Sequence, residues 1–248
     1  MEHPGWAAVD DASYRLSGIE LFGDLNDSDL ASLAKECRWR RYDADQQIIQ
    51  HQDETTDVYF IASGRVRVTV YSQSGKEVSF RDLDAGKSIG ELSAVDGAPR
   101  SANVLALTDT LLTSMPASRF LGLLTEHPEI STKMMVYLAG LVRKLSDRVV
   151  EFSVLAVKNR IHAELLRLAR DHGVTGNSAI ISPVPTHAVI ASRVSTHRER
   201  VTRELNELAR DGIIERRRDE LVILDVGRLA HLVKTGTEVW PVFPSATA

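Results

Sequence analysis

The sequence GELSAVDGAPRSANV, residues 90–104, brings together several groups suited to holding an anion. The guanidinium of Arg100 can donate two parallel, charge-assisted hydrogen bonds to phosphate oxygens, and Ser101 adds a hydroxyl donor. Gly90 permits close approach of the backbone, and GELSAVDG is short enough to form one helical turn, whose first N–H groups would face an anion. Glu91 would repel a phosphate, so its carboxylate needs a different partner. The stretch therefore predicts a phosphate site beside a carboxylate acceptor.

A cyclic nucleotide matches these groups, because it presents a singly charged cyclic phosphate, a ribose 2′-hydroxyl and a base. Arg100 and Ser101 would bind the phosphate, and Glu91 would accept the proton of the 2′-hydroxyl. The simpler alternative is an exposed loop with a Glu–Arg pair worth about 0–1 kcal/mol. The joint pattern GEL…APRSA, late in a β-rich region and followed by helices, favours nucleotide binding.

A β-rich region over residues 40–115 would position this stretch. Its short β-rich runs are DVYFIAS, RVRVTVYS, EVSFRDL and NVLALTDTLLTSM, and QSGKE is typical of a hairpin loop. Glycines recur there every eleven residues, at Gly64, Gly75, Gly86 and Gly97. This spacing predicts an all-β roll, barrel or sandwich. Before it, SDLASLAKEC predicts a helix with Asp27 or Ser28 as its N-cap.

Helical patterns follow Pro116, beginning with a short helix at ASRFLGLLTEH. A longer helix should begin near Pro128. Apolar side chains then recur at a/d-like spacing over three heptads, at Met134, Leu138, Leu141, Leu145, Val149, Phe152 and Ala156. Because a helix of about 25 residues exceeds the usual globular length, we predict that 134–156 forms a homodimer interface. The alternative is that this face packs on its own domain.

The C-terminal part carries local positive charge inside an acidic protein. The whole chain has a formal net charge of −4, whereas residues 193–218 contain eight arginines and five acidic residues, a local charge of +3. NRIHAELLRLARDHG predicts an amphipathic helix closed by Gly173. THAVIASRV and HRERVTRELNELARDG predict two further helices, and IIERRRDELVILD predicts a strand–turn–strand. Together they predict a winged helix-turn-helix, which binds DNA.

The second helix of such a module enters the major groove with its N-terminal residues on base edges. Arg198, Glu199 and Arg203 lie at positions i, i+1 and i+5 of this helix. Arginine fits guanine O6 and N7, and glutamate accepts from cytosine N4. Arg217 and Arg218, at the turn of the wing, suit DNA phosphates by their charge. A solvated charged helix is the alternative, but it does not predict the preceding helix, the turn and the wing together.

Composition excludes several classes of protein. The chain of 248 residues is 43% hydrophobic and 26% charged, as in globular proteins, and it has no apolar run long enough to span a bilayer. The N-terminal sequence MEHPGWAAVDDASYRL lacks the apolar segment of a signal peptide, and the single Cys37 allows no disulfide within the chain. We therefore predict a cytoplasmic protein.

No pattern of residues indicates catalysis or a metal site. The sequence has no phosphate-binding P-loop, no nucleophile elbow and no paired catalytic carboxylates. The histidines His51, His187, His197 and His231 lack metal-ligand spacing. The sequence predicts neither an enzyme nor a metalloprotein.

Taken together, these motifs resemble the cyclic-AMP receptor protein (catabolite activator) family of bacterial transcription regulators. The resemblance covers nearly the whole chain and implies an α+β fold with an N-terminal β-roll, a long dimerisation helix and a C-terminal winged helix-turn-helix. We place the cyclic-nucleotide-binding β-roll and dimer helix at 18–156, the DNA-binding domain at 157–235 and a loosely ordered tail at 236–248. The resemblance implies a homodimer that binds palindromic TGTGA-type DNA when loaded with cyclic AMP, with RNA polymerase as a further partner.

The resemblance also assigns roles in the ligand site. Gly90, Glu91 and Leu92 match the start of the family's phosphate cassette, and Arg100 and Ser101 match its phosphate-binding pair. Two further positions, Leu145 and Ser146, fall where the family has an adenine-contacting Thr and Ser. Because Leu145 lacks the hydroxyl that would discriminate between bases, cyclic GMP is a second candidate effector.

In the DNA-binding module, Arg198, Glu199 and Arg203 match the family's base-reading arrangement. Three residues match or adjoin its phosphate-facing positions, namely Thr186, His197 and Arg200. Ser195 stands in the turn where the family usually has glycine, which predicts a strained or reshaped turn.

Two alternatives stay open at this point. One is a regulator of the same architecture with a different effector or none, which the loss of a hydroxyl at Leu145 supports. The other is a cyclic-nucleotide module that regulates a partner protein rather than DNA, against which the arginine-rich C-terminal module argues.

Overall fold

The computed structural model describes residues 16–72 and 77–235. Most of the predicted QSGKE loop, including Gly75, lies outside the described residues, as does the predicted tail at 236–248. The chain divides into two compact units, the first ending at Leu141 and the second beginning at Val142. The predicted domain boundary at 156/157 stays a prediction.

The first unit contains two four-stranded antiparallel sheets with an apolar core between them. One sheet has the strand order β1 (Arg38–Tyr42), β8 (Thr110–Met115), β3 (Val58–Ser63) and β6 (Ser88–Ile89). The other has the order β2 (Gln47–Ile49), β7 (Asn103–Ala106), β4 (Arg65–Tyr71) and β5 (Glu77–Asp84). Ile61 and Leu112 from the first sheet meet Val66 and Val104 from the second in this core. The predicted β-rich N-terminal architecture is confirmed.

Helices cover one side of the first unit and form a second core. They are α1 (Asp27–Glu36), α2 (Glu91–Asp96), α3 (Ala117–Glu126) and the first half of α4 (Pro128–Val154). Phe60 is packed between Phe22 and Phe120, with ring centroids 4.7 and 6.4 Å away. The N-cap of α1 is Asn26, whose side chain accepts from the backbone N–H of Asp29 at 2.9 Å.

The prediction of Asp27 or Ser28 as this N-cap is therefore wrong by one or two positions. Asparagine is as good an N-cap as aspartate or serine. Asp27 lies instead in the first turn, where its charge suits the helix dipole.

Helix α4 starts where the sequence predicted, and it ends before the predicted position 156, at Val154. It begins at Pro128, and Ala156 is not part of it but the N-cap of the next helix, α5 (Val157–His172). Met134 is only 3% exposed and packs in the core of the first unit. Met134 and Ala156 therefore do not belong to the exposed apolar face of this helix.

The second unit combines helices with a small antiparallel sheet. The sheet has the order β11 (Ile214–Arg216), β12 (Leu221–Ile223), β10 (Ser178–Ile181) and β9 (Val174–Thr175). The helices that follow α5 are α6 (His187–Arg193), α7 (Arg198–Arg210) and α8 (Val226–Thr235). The predicted winged helix-turn-helix is confirmed. Helix α8 and strand β9 were not predicted.

A buried ionic cluster ties three helices of this unit together. Glu164 of α5 is buried, and its carboxylate lies 3.0 Å from Arg193 Nη1 of α6 and 3.3 Å from Arg148 Nη2 of α4. Arg167 contacts the same carboxylate and also pairs with Glu151 of α4 at 2.7 Å. Because a buried carboxylate needs such partners, this cluster fixes the end of α4 against the first helix of the DNA-binding motif.

Candidate ligand pocket and nucleic-acid interface

A pocket in the first unit is lined by the sheet that contains β5 and by the segment 89–104. All five residues predicted for the phosphate and ribose line it, namely Gly90, Glu91, Leu92, Arg100 and Ser101. Leu145 and Ser146 lie on the part of α4 that belongs to the second unit, and both are exposed. Their contact with a base stays a prediction.

Glycines close both ends of α2, where the sequence predicted one helical turn. Gly90 has a φ of 84° and Gly97 a φ of 70°, both in the left-handed region. A Cβ atom at position 90 would lie 2.6 Å from Arg100 Nη1 and 2.9 Å from the carbonyl oxygen of Asp57. Gly90 is therefore needed both for its conformation and for the close approach of Arg100.

Arg100 is a fixed wall of the pocket rather than a mobile surface side chain. It is 1% exposed and donates to Thr55 Oγ1 at 3.0 Å, to the carbonyl oxygen of Gly90 at 3.0 Å and to that of Asp57 at 2.7 Å. Burial lowers the pKa of Arg100, and nearby Tyr59 and Asp57 oppose this effect. Three of its five N–H groups donate to these described residues, which leaves two for an anion.

Glu91 is 2% exposed, and its two carboxylate oxygens have different surroundings. Oε1 accepts from the Tyr137 hydroxyl at 2.9 Å and lies 3.5 Å from Arg81 Nη2. Oε2 is buried and has no hydrogen-bond partner among the described residues. A buried acceptor without a partner is costly, so Oε2 is suited to accept a hydrogen bond from a ligand hydroxyl.

The sequence prediction missed Arg81 and Tyr137. Arg81 lies in β5 and lines the pocket, whereas Tyr137 lies in α4 and reaches Glu91 from that helix. Burial, and then the charge of Glu91, raise the pKa of the Tyr137 hydroxyl, which keeps it a hydrogen-bond donor at neutral pH. A phenol within the apolar pattern of α4 was the available signal for Tyr137. The alternation of polar and apolar residues in β5 gave no signal for Arg81.

The candidate DNA-binding surface lies on α7. Arg198, Glu199, Arg200 and Arg203 are all exposed, and the apolar side of the helix is buried. Thr186 is the N-cap of α6, and His197 is the N-cap of α7. Ser195, in the turn between these helices, has a φ of 54°. The predicted strain of this turn is therefore present, because serine occupies a left-handed conformation that favours glycine.

A buried hydrogen bond anchors α7 from within. Glu204 is buried and its Oε1 lies 2.6 Å from His162 Nε2 of α5. Glu204 comes directly after the exposed Arg203, so neighbouring positions of the helix face the core and the solvent. The rotation of α7 about its axis is thereby fixed.

The wing places its arginines unequally. Arg218 is exposed, whereas Arg217 Nη2 lies 3.3 Å from Glu215 Oε2, which offsets part of its charge. Arg216, which the sequence prediction did not single out, contacts His187 Nε2, and His187 Nδ1 lies 2.7 Å from Thr202 Oγ1. The wing is thus linked to the beginning of α6.

Within 16–72 and 77–235 there is neither a group of three or more possible metal ligands nor a helix long and apolar enough to cross a membrane.

We expect Gly90→Ala to lower the free energy of unfolding by at least about 1 kcal/mol more than Gly97→Ala, because its Cβ collides with Arg100. Either alanine pays a left-handed strain of roughly 1–2 kcal/mol, but nothing lies within 4 Å of a Cβ at position 97. Urea unfolding of the two variants measures the difference. Equal losses would contradict the tight packing of Arg100 on Gly90.

Comparison with known proteins gives two domain matches in the order of the structure. Residues 39–127 match the model of the cyclic nucleotide-binding domain, and residues 159–232 match that of the Crp-like helix-turn-helix domain. A CRP-like cAMP-activated global transcriptional regulator of Mycobacterium tuberculosis is 25% identical over 217 residues, which are 87% of this chain and 97% of that protein. The cyclic AMP receptor protein of Thermus thermophilus is 28% identical over 202 residues, 80% of this chain and 89% of that one.

Among solved structures, a mutant of CooA from Carboxydothermus hydrogenoformans superposes with a TM-score of 0.74 over 86% of this chain and 94% of that chain. At 23% identity, this likeness concerns the fold alone. The two domain matches and the relatives over most of the chain are decisive for the family. The chain belongs to the cyclic-AMP receptor protein family, whose members are bacterial transcription regulators and not enzymes.

Proposed function

We propose that this regulator is a homodimer that binds cyclic AMP in the pocket between Glu91 and Arg100 and then binds a palindromic DNA site of TGTGA type. The observation that carries the proposal is Glu91 Oε2, a buried acceptor without a protein partner, in the same pocket as the guanidinium of Arg100. The names of the Mycobacterium and Thermus relatives support cyclic AMP as the effector.

The charge of the pocket suits a monoanionic phosphate. Among the side chains that line it, Arg81 and Arg100 are positive and Glu91 is negative, which leaves one net positive charge. Arg100 would use its two remaining N–H groups on the phosphate, and the exposed Ser101 would add a hydroxyl donor. In this arrangement, Glu91 Oε2 would accept a hydrogen bond from the ribose 2′-hydroxyl, and the cyclic phosphate would lie next to Arg100.

The base would be read by the second half of α4, through Leu145 and Ser146. Because an aliphatic side chain makes no hydrogen bond to the adenine amino group, we propose weak discrimination between bases and cyclic GMP as a second effector. The same residue favours a second candidate function, a regulator of this architecture that responds to a different effector or to none.

The dimer would form through the exposed apolar face of α4. Six apolar side chains on this helix follow a strict 3–4 spacing; Leu138 is half-buried against the core of the first unit, and the other five are exposed, namely Met135, Val142, Leu145, Val149 and Phe152. Val142 is 63% exposed and Val149 65% exposed, and a continuous row of exposed apolar side chains is typical of an interaction surface. This heptad frame replaces the predicted one, because Met134 belongs to the core of its own unit.

The exposed Arg198, Glu199 and Arg203 would read base edges in the major groove of each half-site. Thr186, His197, Arg200, Arg217 and Arg218 would contact the DNA backbone. A ligand could favour DNA binding only through a different affinity for the two arrangements of the dimer. Contact with RNA polymerase, an activating role and a cytoplasmic location belong to the same proposal.

We expect Ser101→Ala to weaken cyclic AMP binding about tenfold or more, since a hydrogen bond to a charged phosphate is lost. Ser101 is exposed, so the change leaves the core intact. Isothermal titration of the full chain with cyclic AMP, and separately with cyclic GMP, gives the affinities. Ser17→Ala, at another exposed serine of the first unit, is the matched control. An unchanged affinity in Ser101→Ala would remove this residue from the phosphate site.

We expect Arg203→Ala to lose about 1–3 kcal/mol of binding on a TGTGA palindrome, and little on DNA whose half-sites are scrambled. The reason is that a base contact, unlike a phosphate contact, is specific to sequence. Fluorescence anisotropy with cyclic AMP present measures both affinities. Arg210→Ala, at the last residue of the same helix, is the control. Equal weakening on the two DNAs would place Arg203 on the backbone instead.

We expect Val149→Glu to yield monomers at concentrations at which the unaltered chain is a dimer, because a dimer would bury two unpaired carboxylates. Sedimentation velocity measures the oligomeric state. Lys144→Gln changes the net charge by the same amount at an exposed position outside the heptad frame, and should remain dimeric. A dimeric Val149→Glu variant would place the interface elsewhere.

A further inference from the structure

Three elements of the first unit converge on one carboxylate. Glu91 begins α2, Arg81 lies in β5 and Tyr137 lies in α4. The Tyr137 hydroxyl donates to Glu91 Oε1 at 2.9 Å, and Arg81 Nη2 lies 3.5 Å from that oxygen. The guanidinium of Arg81 also lies 5.6 Å from the centroid of the Tyr137 ring, within the range of a cation–π contact.

These contacts engage one oxygen of Glu91 and leave the other without a partner among the described residues. A carboxylate held at a single oxygen by two donors from different elements has little freedom to rotate. Its second oxygen, which is buried, is therefore kept in one position on the residue that lines the pocket. Such preorganisation lowers the entropic cost of binding a ligand hydroxyl.

We propose that Tyr137 is a positioning residue that orients Glu91 for the 2′-hydroxyl of the nucleotide and makes α4 a direct part of the effector site, and that Arg81 offsets the charge of Glu91 beside the ligand. The inference rests on the proposed function. It concerns residues that would not touch the ribose themselves but act through the orientation and charge of Glu91.

The two residues have separable effects. Tyr137 makes a neutral hydrogen bond, so it affects the geometry of Glu91 and hence the bond to the ligand hydroxyl. Arg81 brings a positive charge into the pocket beside Glu91, so it also lowers the repulsion between that carboxylate and the phosphate of the ligand. The effect of removing the Tyr137 hydroxyl on affinity should therefore depend on whether the ligand carries its 2′-hydroxyl. The effect of removing the Arg81 charge should not.

The test compares cyclic AMP with 2′-deoxy cyclic AMP, which lacks the hydroxyl that Glu91 would bind. For the unaltered chain we expect a preference for cyclic AMP of about tenfold in isothermal titration. In Tyr137→Phe this preference should fall below about threefold, through weaker binding of cyclic AMP and nearly unchanged binding of the deoxy analogue. In Arg81→Gln both ligands should bind more weakly by a similar factor.

Tyr71→Phe is the matched control, because it removes a phenol hydroxyl from an exposed tyrosine in the first unit. It should retain the full preference. Urea unfolding of each variant shows whether the fold is intact. If Tyr137 had a merely structural role, Tyr137→Phe would weaken the binding of both ligands by the same factor.

Failure of the inference differs from failure of the proposed function. If the unaltered chain binds neither ligand, the proposed function is wrong. If it prefers cyclic AMP and Tyr137→Phe keeps that preference, Tyr137 does not position Glu91, although the function stands. If the unaltered chain binds both ligands equally, Glu91 does not hold the hydroxyl and the inference is overturned as well.

Discussion

The pocket of the first unit depends on the hydrogen bonds that the buried guanidinium of Arg100 donates. A charge at 1% exposure is stable only with enough acceptors, and Arg100 has Thr55, Gly90 and Asp57. Its own backbone donates to the carbonyl oxygen of Asp53 at 2.8 Å. One side chain thus joins the segment 53–57 to the beginning of α2, and it sets the positions of the groups that face the pocket.

The other charged group of the pocket, Glu91, is arranged in a complementary way. Arg100 is largely satisfied by the protein, whereas Glu91 is satisfied at only one oxygen. The carboxylate thereby retains the unmet hydrogen-bonding capacity that a hydroxyl can fill. In the proposed complex, nucleotide binding would be favoured at two points for different reasons, by the positive charge of Arg100 and by the unfilled hydrogen-bonding capacity of Glu91.

Much of the architecture could be predicted because local signals and tertiary structure agree. The runs of β-rich sequence became β3, β4, β5, β7 and β8, and the helical turn predicted at GELSAVDG became α2. Periodicity alone could not decide between Met134 and Met135 as the start of the exposed face, since both fit a helical repeat. The structure shows that the core of the first unit takes up Met134 and leaves Met135 exposed.

The phosphate and ribose residues were predicted from positions close together in sequence, and of the two residues missed, Tyr137 is distant in sequence. Glu91, Arg100 and Ser101 lie within eleven positions, so their types and spacing were visible together. Tyr137 is 46 positions from Glu91 and meets it only because α4 returns to the pocket. The burial of Arg100 could not be predicted from the sequence either. It depends on backbone carbonyl groups that accept its hydrogen bonds, and every residue type carries such a group.

Because of the buried hydrogen bond between Glu204 and His162, different residues of α7 anchor the helix and face the solvent. Since the orientation of the helix is secured from the inside, its outward side chains need not contribute to folding. In the proposed DNA complex, substitutions at those outward positions would alter which base pairs are recognised while the scaffold stays as it is. A gene duplicate of this regulator could therefore acquire new operators through a few surface changes, with the inner anchor of its reading helix inherited intact.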